Sequence, residues 1–175
     1  MYVIAICGPL ESAALEFAKQ LSREVKIPTT ILHQFDYQIK EDIDFERLKK
    51  DLELQQGIVL LVGHTLYVDD ALKKTLGEGL KIKLFIEAAL DSCLTSFIKK
   101  RLSEDVGKST SEYFEKVKPQ NEIINVTKKY ADVVIPEKED YAVALQLLCS
   151  SMLAYHSSLE KQEQKKPTTF SLFSN

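Results

Sequence analysis

The first 21 residues, MYVIAICGPLESAALEFAKQL (1–21), set the fold of the chain. Tyr2–Cys7 is a continuous apolar run rich in β-branched residues, which is typical of a strand buried on both faces of a parallel sheet. Gly8-Pro9 breaks this run, and apolar side chains then recur at helical spacing, which predicts a helix over Leu10–Glu24. A strand, a short turn and a helix in this order indicate the first unit of an α/β domain.

The same alternation continues along the chain. The further predicted strands are Thr29–Leu32, Ile58–Val62, Leu80–Ile86 and Ala131–Ile135. The further predicted helices are Ile43–Gln56, Asp69–Leu76, Leu90–Leu102, Ser111–Tyr130 (kinked or divided at Pro119) and Asp140–Tyr155. This order predicts a three-layer α/β/α domain with a five-stranded, mainly parallel sheet. Ligands of such sheets bind at the carboxyl ends of the strands, so we expect a site in the loops that follow them.

The composition is that of one globular domain. Of the 175 residues, 45% are hydrophobic and 28% are charged, and 23 basic against 26 acidic side chains leave a net charge of −3. This balance gives no basis for bulk nucleic-acid binding or for attraction to an anionic membrane. No apolar run reaches the ~20 residues of a bilayer-spanning helix. We expect a cytoplasmic protein with one domain over residues 1–156 and a flexible polar tail over residues 157–175.

The three cysteines, Cys7, Cys93 and Cys149, are widely spaced and have apolar neighbours. No Cys-x-x-Cys motif or Cys/His pairing has the spacing of metal ligands, so we expect no metal site. We interpret all three as buried thiols of a protein in a reducing compartment.

The turn after the first strand is where a nucleotide-binding domain would hold phosphate, with the pattern G-x-x-x-x-G-K-[ST]. Its glycines let backbone N–H groups converge on phosphate, its lysine reaches the terminal phosphates, and its hydroxyl binds magnesium. The corresponding window here is Gly8, Pro9, Leu10, Glu11, Ser12, Ala13, Ala14 and Leu15. Only the first glycine is kept. These residues alone are compatible with a remnant of a phosphate loop and with a plain strand-to-helix turn.

Five other segments resemble the phosphoribulokinase/uridine kinase family of P-loop kinases. TKKYADVVIP (127–136) is similar to the family's KKYADVIIP, and KR (100–101) with EDVGKS (104–109) is similar to its KR…EERGRS lid. VKP (117–119) matches its VKP, IVLLVGHTL (58–66) is similar to VVLFEGILVL, and HQFDY (33–37) resembles the HQDDFF of the related nicotinamide riboside kinases. The resemblance spans residues 1–148 and implies the fold of a P-loop kinase.

At the positions that carry the family's chemistry, this sequence departs from the pattern. The lysine and the Ser/Thr that the resemblance implies for ATP and magnesium are Ala14 and Leu15, and the acidic residue of the family's EG pair is Val62, before Gly63. Because charge-assisted hydrogen bonds contribute ~1.5–3 kcal/mol each, these losses should weaken triphosphate binding by several kcal/mol. Glu11 adds a negative charge that repels phosphate unless the side chain turns toward solvent.

Some polar positions of the family's site are kept. The resemblance implies that Lys108 retains the charge of one lid arginine, while the other is Val106. Arg101 is either a second lid cation or a surface residue of an amphipathic helix. Asp36 corresponds to the family's general base, which accepts a proton from the acceptor hydroxyl, or it serves as a turn or N-cap residue.

Two histidines, His33 and His64, both end predicted strands at the edge of the sheet where a site is expected. They could lie close together and serve acid–base chemistry, or each could bond to the backbone. Only about six residues separate Tyr37 from the next helix, which leaves little chain for the nucleoside-binding insertion that the resemblance implies.

The departures favour a catalytically degenerate uridine kinase-like protein, a pseudokinase that acts as a binding or scaffold module. The expected partner is a protein or a ribonucleoprotein assembly, which could dock through the tail residues Lys165, Lys166, Phe170 and Phe173. No cofactor is expected. The alternative is an atypical kinase that uses Mg-ATP to phosphorylate a nucleoside or a related hydroxyl substrate, with Arg101 or Lys108 replacing the missing lysine.

Overall fold

The computed structural model describes residues 1–40, 42–55, 57–68, 70–101, 105–137 and 141–164. Its strands are β1 (Tyr2–Cys7), β2 (Thr29–His33), β3 (Gln38–Ile39), β4 (Asp42–Ile43), β5 (Ile58–Gly63), β6 (Leu80–Ile86) and β7 (Val133–Ile135). Its α-helices are α1 (Glu11–Val25), α2 (Phe45–Leu54), α3 (Ala71–Leu76), α4 (Leu90–Lys99), α5 (Val106–Glu112), α6 (Lys118–Val126) and α7 (Ala142–Gln164). Short 3-10 turns lie at Gln34–Tyr37, Gly77–Gly79 and Thr127–Tyr130, and a π-helical turn lies at Tyr113–Val117.

Five strands form one parallel sheet in the order β2-β5-β1-β6-β7. All six residues of the central strand β1 are buried, and they alternate between two cores. Tyr2, Ile4 and Ile6 belong to the core under α1 and α7, whereas Val3, Ala5 and Cys7 belong to the core under α2 and α3. The predicted three-layer α/β/α architecture with a five-stranded parallel sheet is therefore confirmed.

A two-stranded antiparallel hairpin, β3–β4, lies outside this sheet and differs from the prediction. We expected a helix over Ile43–Gln56, but Ile43 pairs with Gln38 and the helix begins at Phe45. Asp44 caps that helix, because its side chain accepts a hydrogen bond from the backbone N–H of Arg47 at 3.0 Å. Strands of two residues are too short to leave a periodic pattern in the sequence.

The predicted helix Ser111–Tyr130 also differs from the structure. The chain is already helical from Val106, and the π-helical turn divides α5 from α6. Pro119 lies in the first turn of α6, directly after the π-helical turn. The other predicted elements are present with ends shifted by a few residues, while the predicted end residues Asp69, Leu102 and Asp140 lie outside the described residues.

The last helix is longer than predicted. It continues past Tyr155 to Gln164, so residues 157–164, which were predicted to belong to a flexible tail, are helical. The hydroxyl of Tyr2 on β1 lies 2.7 Å from that of Ser151, and its ring lies 4.6 Å from that of Tyr155. These contacts hold α7 against the sheet. Residues 165–175, with the predicted docking residues of the tail, lie outside the described residues.

Candidate functional site

The turn between β1 and α1 is short and tightly packed. A Cβ on Gly8 would lie 2.4 Å from the carbonyl oxygen of Ile86, so only glycine fits between the ends of β1 and β6. Only Pro9 and Leu10 separate Gly8 from Glu11, the first residue of α1. The turn between β1 and α1 therefore has three residues, which is shorter than the loop of the phosphate-binding pattern.

The rest of the phosphate-loop window, Glu11, Ser12, Ala13, Ala14 and Leu15, lies in the first turns of α1. The N–H groups of Ala13 and Ala14 donate to the carbonyl oxygen of Leu10 at 3.0 and 3.3 Å. Ala14, at the position of the family's lysine, is completely buried in the core under α1, and Ala13 and Leu15 pack against that core. The lysine position therefore faces the protein interior.

Glu11 links the two histidines that end neighbouring strands. His33 is the last residue of β2, and His64 follows β5, which pairs with β2. The Glu11 carboxylate forms an ion pair with Nε2 of His33, and its other oxygen lies 3.4 Å from Nε2 of His64. The Glu11 side chain is only 15% exposed, so it does not turn toward solvent. We call these three residues the Glu–His cluster.

The surroundings of Glu11 favour its charged form. Burial acts to raise the pKa of Glu11, but the hydrogen bond from His64 and the charges of His64, His33 and Lys100 outweigh burial and lower that pKa. Nδ1 of His64 lies 3.0 Å from the carbonyl oxygen of Gly8. Because both ring nitrogens of His64 face oxygen acceptors, His64 donates to both only when its ring carries two protons.

A buried amide fixes the loops on either side of the cluster. The side chain of Gln34 donates to the hydroxyl of Thr65 at 2.7 Å and accepts from the Thr65 N–H at 3.0 Å. A Cβ on Gly63 would lie 2.2 Å from the amide oxygen of Gln34, so Gly63 leaves the space that this amide fills. The glycine retained from the family's EG pair therefore has a packing role in this chain.

A cavity of about 670 Å³ opens beside the Glu–His cluster at the carboxyl ends of the strands. Its described lining comes from the turn before α1, the loops after β2 and β5, and the facing helices α4 and α6: Pro9, Leu10, Glu11, Gln34, Phe35, Gln38, His64, Thr65, Val68, Cys93, Ser96, Phe97, Lys100, Val117, Gln120, Asn121, Ile123 and Ile124. Phe35 stacks on His33 with ring centroids 5.4 Å apart. Since α4 and α6 form the far wall, a short chain after β2 still leaves room for a small molecule.

Three of the predicted site residues are not among the described residues that line this cavity. Asp36 is exposed in the 3-10 turn after β2 and is not among the described residues that line the cavity. Arg101 lies over the ring of Phe97 at 4.4 Å and forms an ion pair with Glu112. Lys108 is exposed on α5. The catalytic role of Asp36 and the phosphate-binding roles of Arg101 and Lys108 therefore stay predictions.

Lys100 is the cation that the sequence analysis missed. It lines the cavity beside Glu11 and helps to lower the pKa of that carboxyl. Its sequence signal was present, because Lys100 stands next to Arg101 in the KR pair. The choice between these neighbours depends on the direction of each side chain in the turn that follows α4, which residue spacing alone does not determine.

The parallel five-stranded sheet, the glycine turn after its central strand and the cavity at the strand ends match the fold of P-loop kinases. Two kinases are among the solved structures that share this fold. A candidate fructose transport system kinase from Silicibacter sp. TM1040 has a TM-score of 0.63 at 11% identity and covers 77% of this chain and 89% of its own. Shikimate kinase from Aquifex aeolicus has a TM-score of 0.54 at 15% identity, with 88% and 98% covered. At these identities the similarity shows the fold alone.

The fold of the chain is that of P-loop kinases, and its sequence is similar to that of uridine kinases. Uridine kinases of Streptococcus pneumoniae, among them those of strains Hungary19A-6 and CGSP14, are 31% identical to it over 145 residues. The match covers 79% of this chain and 62% of those proteins, so the chain spans less than two thirds of their length. No family model matches the chain.

Proposed function

We propose that this chain is a catalytically degenerate uridine kinase-like protein that acts as a binding or scaffold module for a protein or a ribonucleoprotein assembly. The observation that carries the proposal is the Glu–His cluster. A carboxylate held by two histidines lies at the amino terminus of α1, the end of a helix that binds phosphate in nucleotide-binding proteins.

The electrostatics of this arrangement oppose a nucleoside triphosphate. Two like charges 4 Å apart repel by about 4 kcal/mol at the effective dielectric of a protein surface. Glu11 would exert this repulsion on a phosphate at the helix end, and Ala14 supplies no lysine to offset it. Lys100 is the described cation that lines the cavity, and its charge already acts on Glu11.

An apolar mouth supports a macromolecular partner. Phe35, Val68 and Ile123 line the cavity and are 50%, 46% and 57% exposed. Large exposed side chains that cluster at a concave site are typical of interaction surfaces. We expect Phe35→Asp and Ile123→Asp to reduce recovery of partners with the tagged protein in quantitative co-purification. The same change at Leu54, which is 77% exposed on α2, serves as the control.

Thermal unfolding with millimolar Mg-ATP tests the loss of nucleotide binding. A ligand at a hundred times its Kd stabilises a folded protein by ~2.7 kcal/mol, so tight binding of Mg-ATP would raise the melting temperature measurably. We expect no shift for this chain and a shift for the uridine kinase of S. pneumoniae under the same conditions. A turnover assay with nucleosides and other ribosides accompanies it. Phosphorylation that disappears in Asp36→Asn or Lys100→Ala would overturn the proposal.

The alternative is an atypical ATP-dependent kinase for a nucleoside or a related hydroxyl compound. The cavity favours it, because about 670 Å³ beside Lys100 accommodates a small molecule. Under this alternative Mg-ATP is the cofactor, and Lys100→Ala abolishes turnover while Lys99→Ala, one residue earlier on α4, does not. Under the leading proposal the protein is cytoplasmic and uses no cofactor or metal.

A further inference from the structure

Helix α7 exposes a long face without charge. From Ala142 to Leu159 the sequence contains no Asp, Glu, Lys or Arg. Val143, Leu147 and Leu153 are 70%, 68% and 44% exposed. The stretch Ala142–Lys161 is long and apolar enough to cross a bilayer by length and composition alone, which the sequence analysis did not anticipate, and only 17% of it is buried.

The neighbouring helix α1 shows what a solvated helix of this domain looks like. It packs on the same side of the sheet as α7. Its exposed positions carry both signs of charge, as in Glu16, Lys19 and Arg23. An exposed helix face of five turns without a single formal charge is therefore a local exception, and exposed apolar patches of this kind mark interaction sites.

The inner face of α7 excludes a simple membrane span. Leu145, Leu148 and Met152 belong to the core with β1 and α1, so α7 would have to leave that core to cross a bilayer. Helices that lie on a membrane surface carry Lys and Arg on their polar face. In the described part of α7 the first such residue is Lys161, and the chain has a net charge of −3. The exposed face of α7 therefore matches a protein surface better than a membrane surface.

The exposed positions of α7 form one continuous face, which can pair with the same face of a second copy about a two-fold axis. Seven exposed residues follow helical spacing along one face: Val143, Gln146, Leu147, Ser150, Leu153, Ala154 and Ser157. If two such helices cross antiparallel at Ser150, Leu147 of one copy meets Leu153 of the other, and Gln146 meets Ala154. The small residues near the crossing let the backbones approach. An uncharged face meets itself without like-charge repulsion, which isologous pairing requires.

We propose that α7 is the interface of a homodimer in which two copies pair antiparallel about Ser150. This proposal does not depend on the proposed function. The contact of two helices about 30 Å long is at the low end of protein interface sizes, so we expect a dimer that dissociates at low concentration.

Sedimentation or light scattering of the full chain tests the dimer. Between about 1 and about 200 µM, a span that brackets an affinity of order 10 µM, the mass should rise from 19.9 kDa toward twice that value. Leu147→Asp places a charge at the pairing surface and should keep the chain monomeric over this range. Leu54→Asp, the same change at a more exposed leucine on α2, should leave the transition unchanged.

A cross-linking experiment tests the crossing point. In a Cys149→Ser background, Ser150→Cys should form an intermolecular disulfide on mild oxidation, because the two residues face each other across the axis. Ser158→Cys lies about 12 Å farther along the same helix and should not cross-link. A chain that is monomeric at all concentrations overturns the proposal, as does a dimer that Leu147→Asp leaves intact. Binding of the monomer through α7 to anionic lipid vesicles would overturn it in favour of a membrane surface.

Discussion

Glu11→Gln removes the negative charge of the Glu–His cluster with little change in volume. The Glu11 side chain is 15% exposed, so its pairs with His33 and His64 lie between the surface and the interior. Breaking one side of a buried pair costs 3–5 kcal/mol, whereas exposed pairs contribute about 0–1 kcal/mol. Glutamine keeps one oxygen acceptor for the histidines. We therefore expect the free energy of unfolding at pH 7 to fall by about 1–2 kcal/mol.

The pH dependence of this effect has a defined sign. The pKa of Glu11 is lower in the folded protein than its usual value of 4.5. A carboxyl group with a lowered folded pKa adds stability above the unfolded pKa, and that stability is lost as the pH falls through the folded pKa. The stability difference between wild type and Glu11→Gln should accordingly be present above the usual carboxyl pKa and shrink as the pH falls below about 4.

Urea unfolding of both proteins across this pH range measures the effect. Glu16→Gln, on the exposed side of the same helix, is the matched control and should change stability by less than about 0.5 kcal/mol. A double-mutant cycle with His64→Gln isolates the coupling between the two side chains. Equal stability of wild type and Glu11→Gln at pH 7, or a difference that acidification leaves unchanged, would refute the reasoning.

Three further substitutions or modifications test the packing of β1 and α1. Gly8→Ala should lower the free energy of unfolding by about 1–3 kcal/mol, because its Cβ would meet the backbone oxygen of Ile86 at 2.4 Å. Gly79→Ala is the control and should be tolerated, because only the end of the flexible Met1 side chain lies near that position. Burial raises the pKa of Cys7 to about 12, so a thiol reagent at pH 8 should modify Cys7 only after unfolding, as mass spectrometry can show. Ala14→Lys should lower the melting temperature by several degrees without creating Mg-ATP binding, because the new ammonium group would enter the core.

Much of the fold follows from a few apolar segments. YVIAIC (2–7) and IVLLV (58–62) are uninterrupted apolar runs, and the structure places them side by side as buried parallel strands. The hairpin β3–β4 and the π-helical turn could not be predicted in this way, because both are shorter than the period that a pattern needs. Of the three cysteines interpreted as buried, Cys7 and Cys93 are buried, but Cys149 on α7 is half-buried.

The sequence predicted which strand ends form the site, but it did not predict which side chains meet there. Parallel neighbours β2 and β5 bring His33 and His64 to one edge, and this could be anticipated from their positions in the sequence. That Glu11 bridges the histidines follows from where α1 begins, one residue later than predicted, and from the direction of one side chain. Asp36 and Phe35 show the same limit, because these adjacent residues belong to one turn but only Phe35 is among the described residues that line the cavity.

The window of residues 8–15 differs from the phosphate-loop pattern in its backbone as well as in its side chains. A phosphate loop holds its ligand with backbone N–H groups that have no helical partner. In this chain α1 begins at Glu11, and the N–H groups of Ala13 and Ala14 already donate to Leu10 within the helix. The helix end also has an anion of its own, the carboxylate of Glu11, which the positive end of the helix dipole favours. Restoring one glycine, lysine or serine would leave these hydrogen bonds in place. Under the proposed function, we expect that triphosphate binding in such a variant would also require the first turn of α1 to unwind.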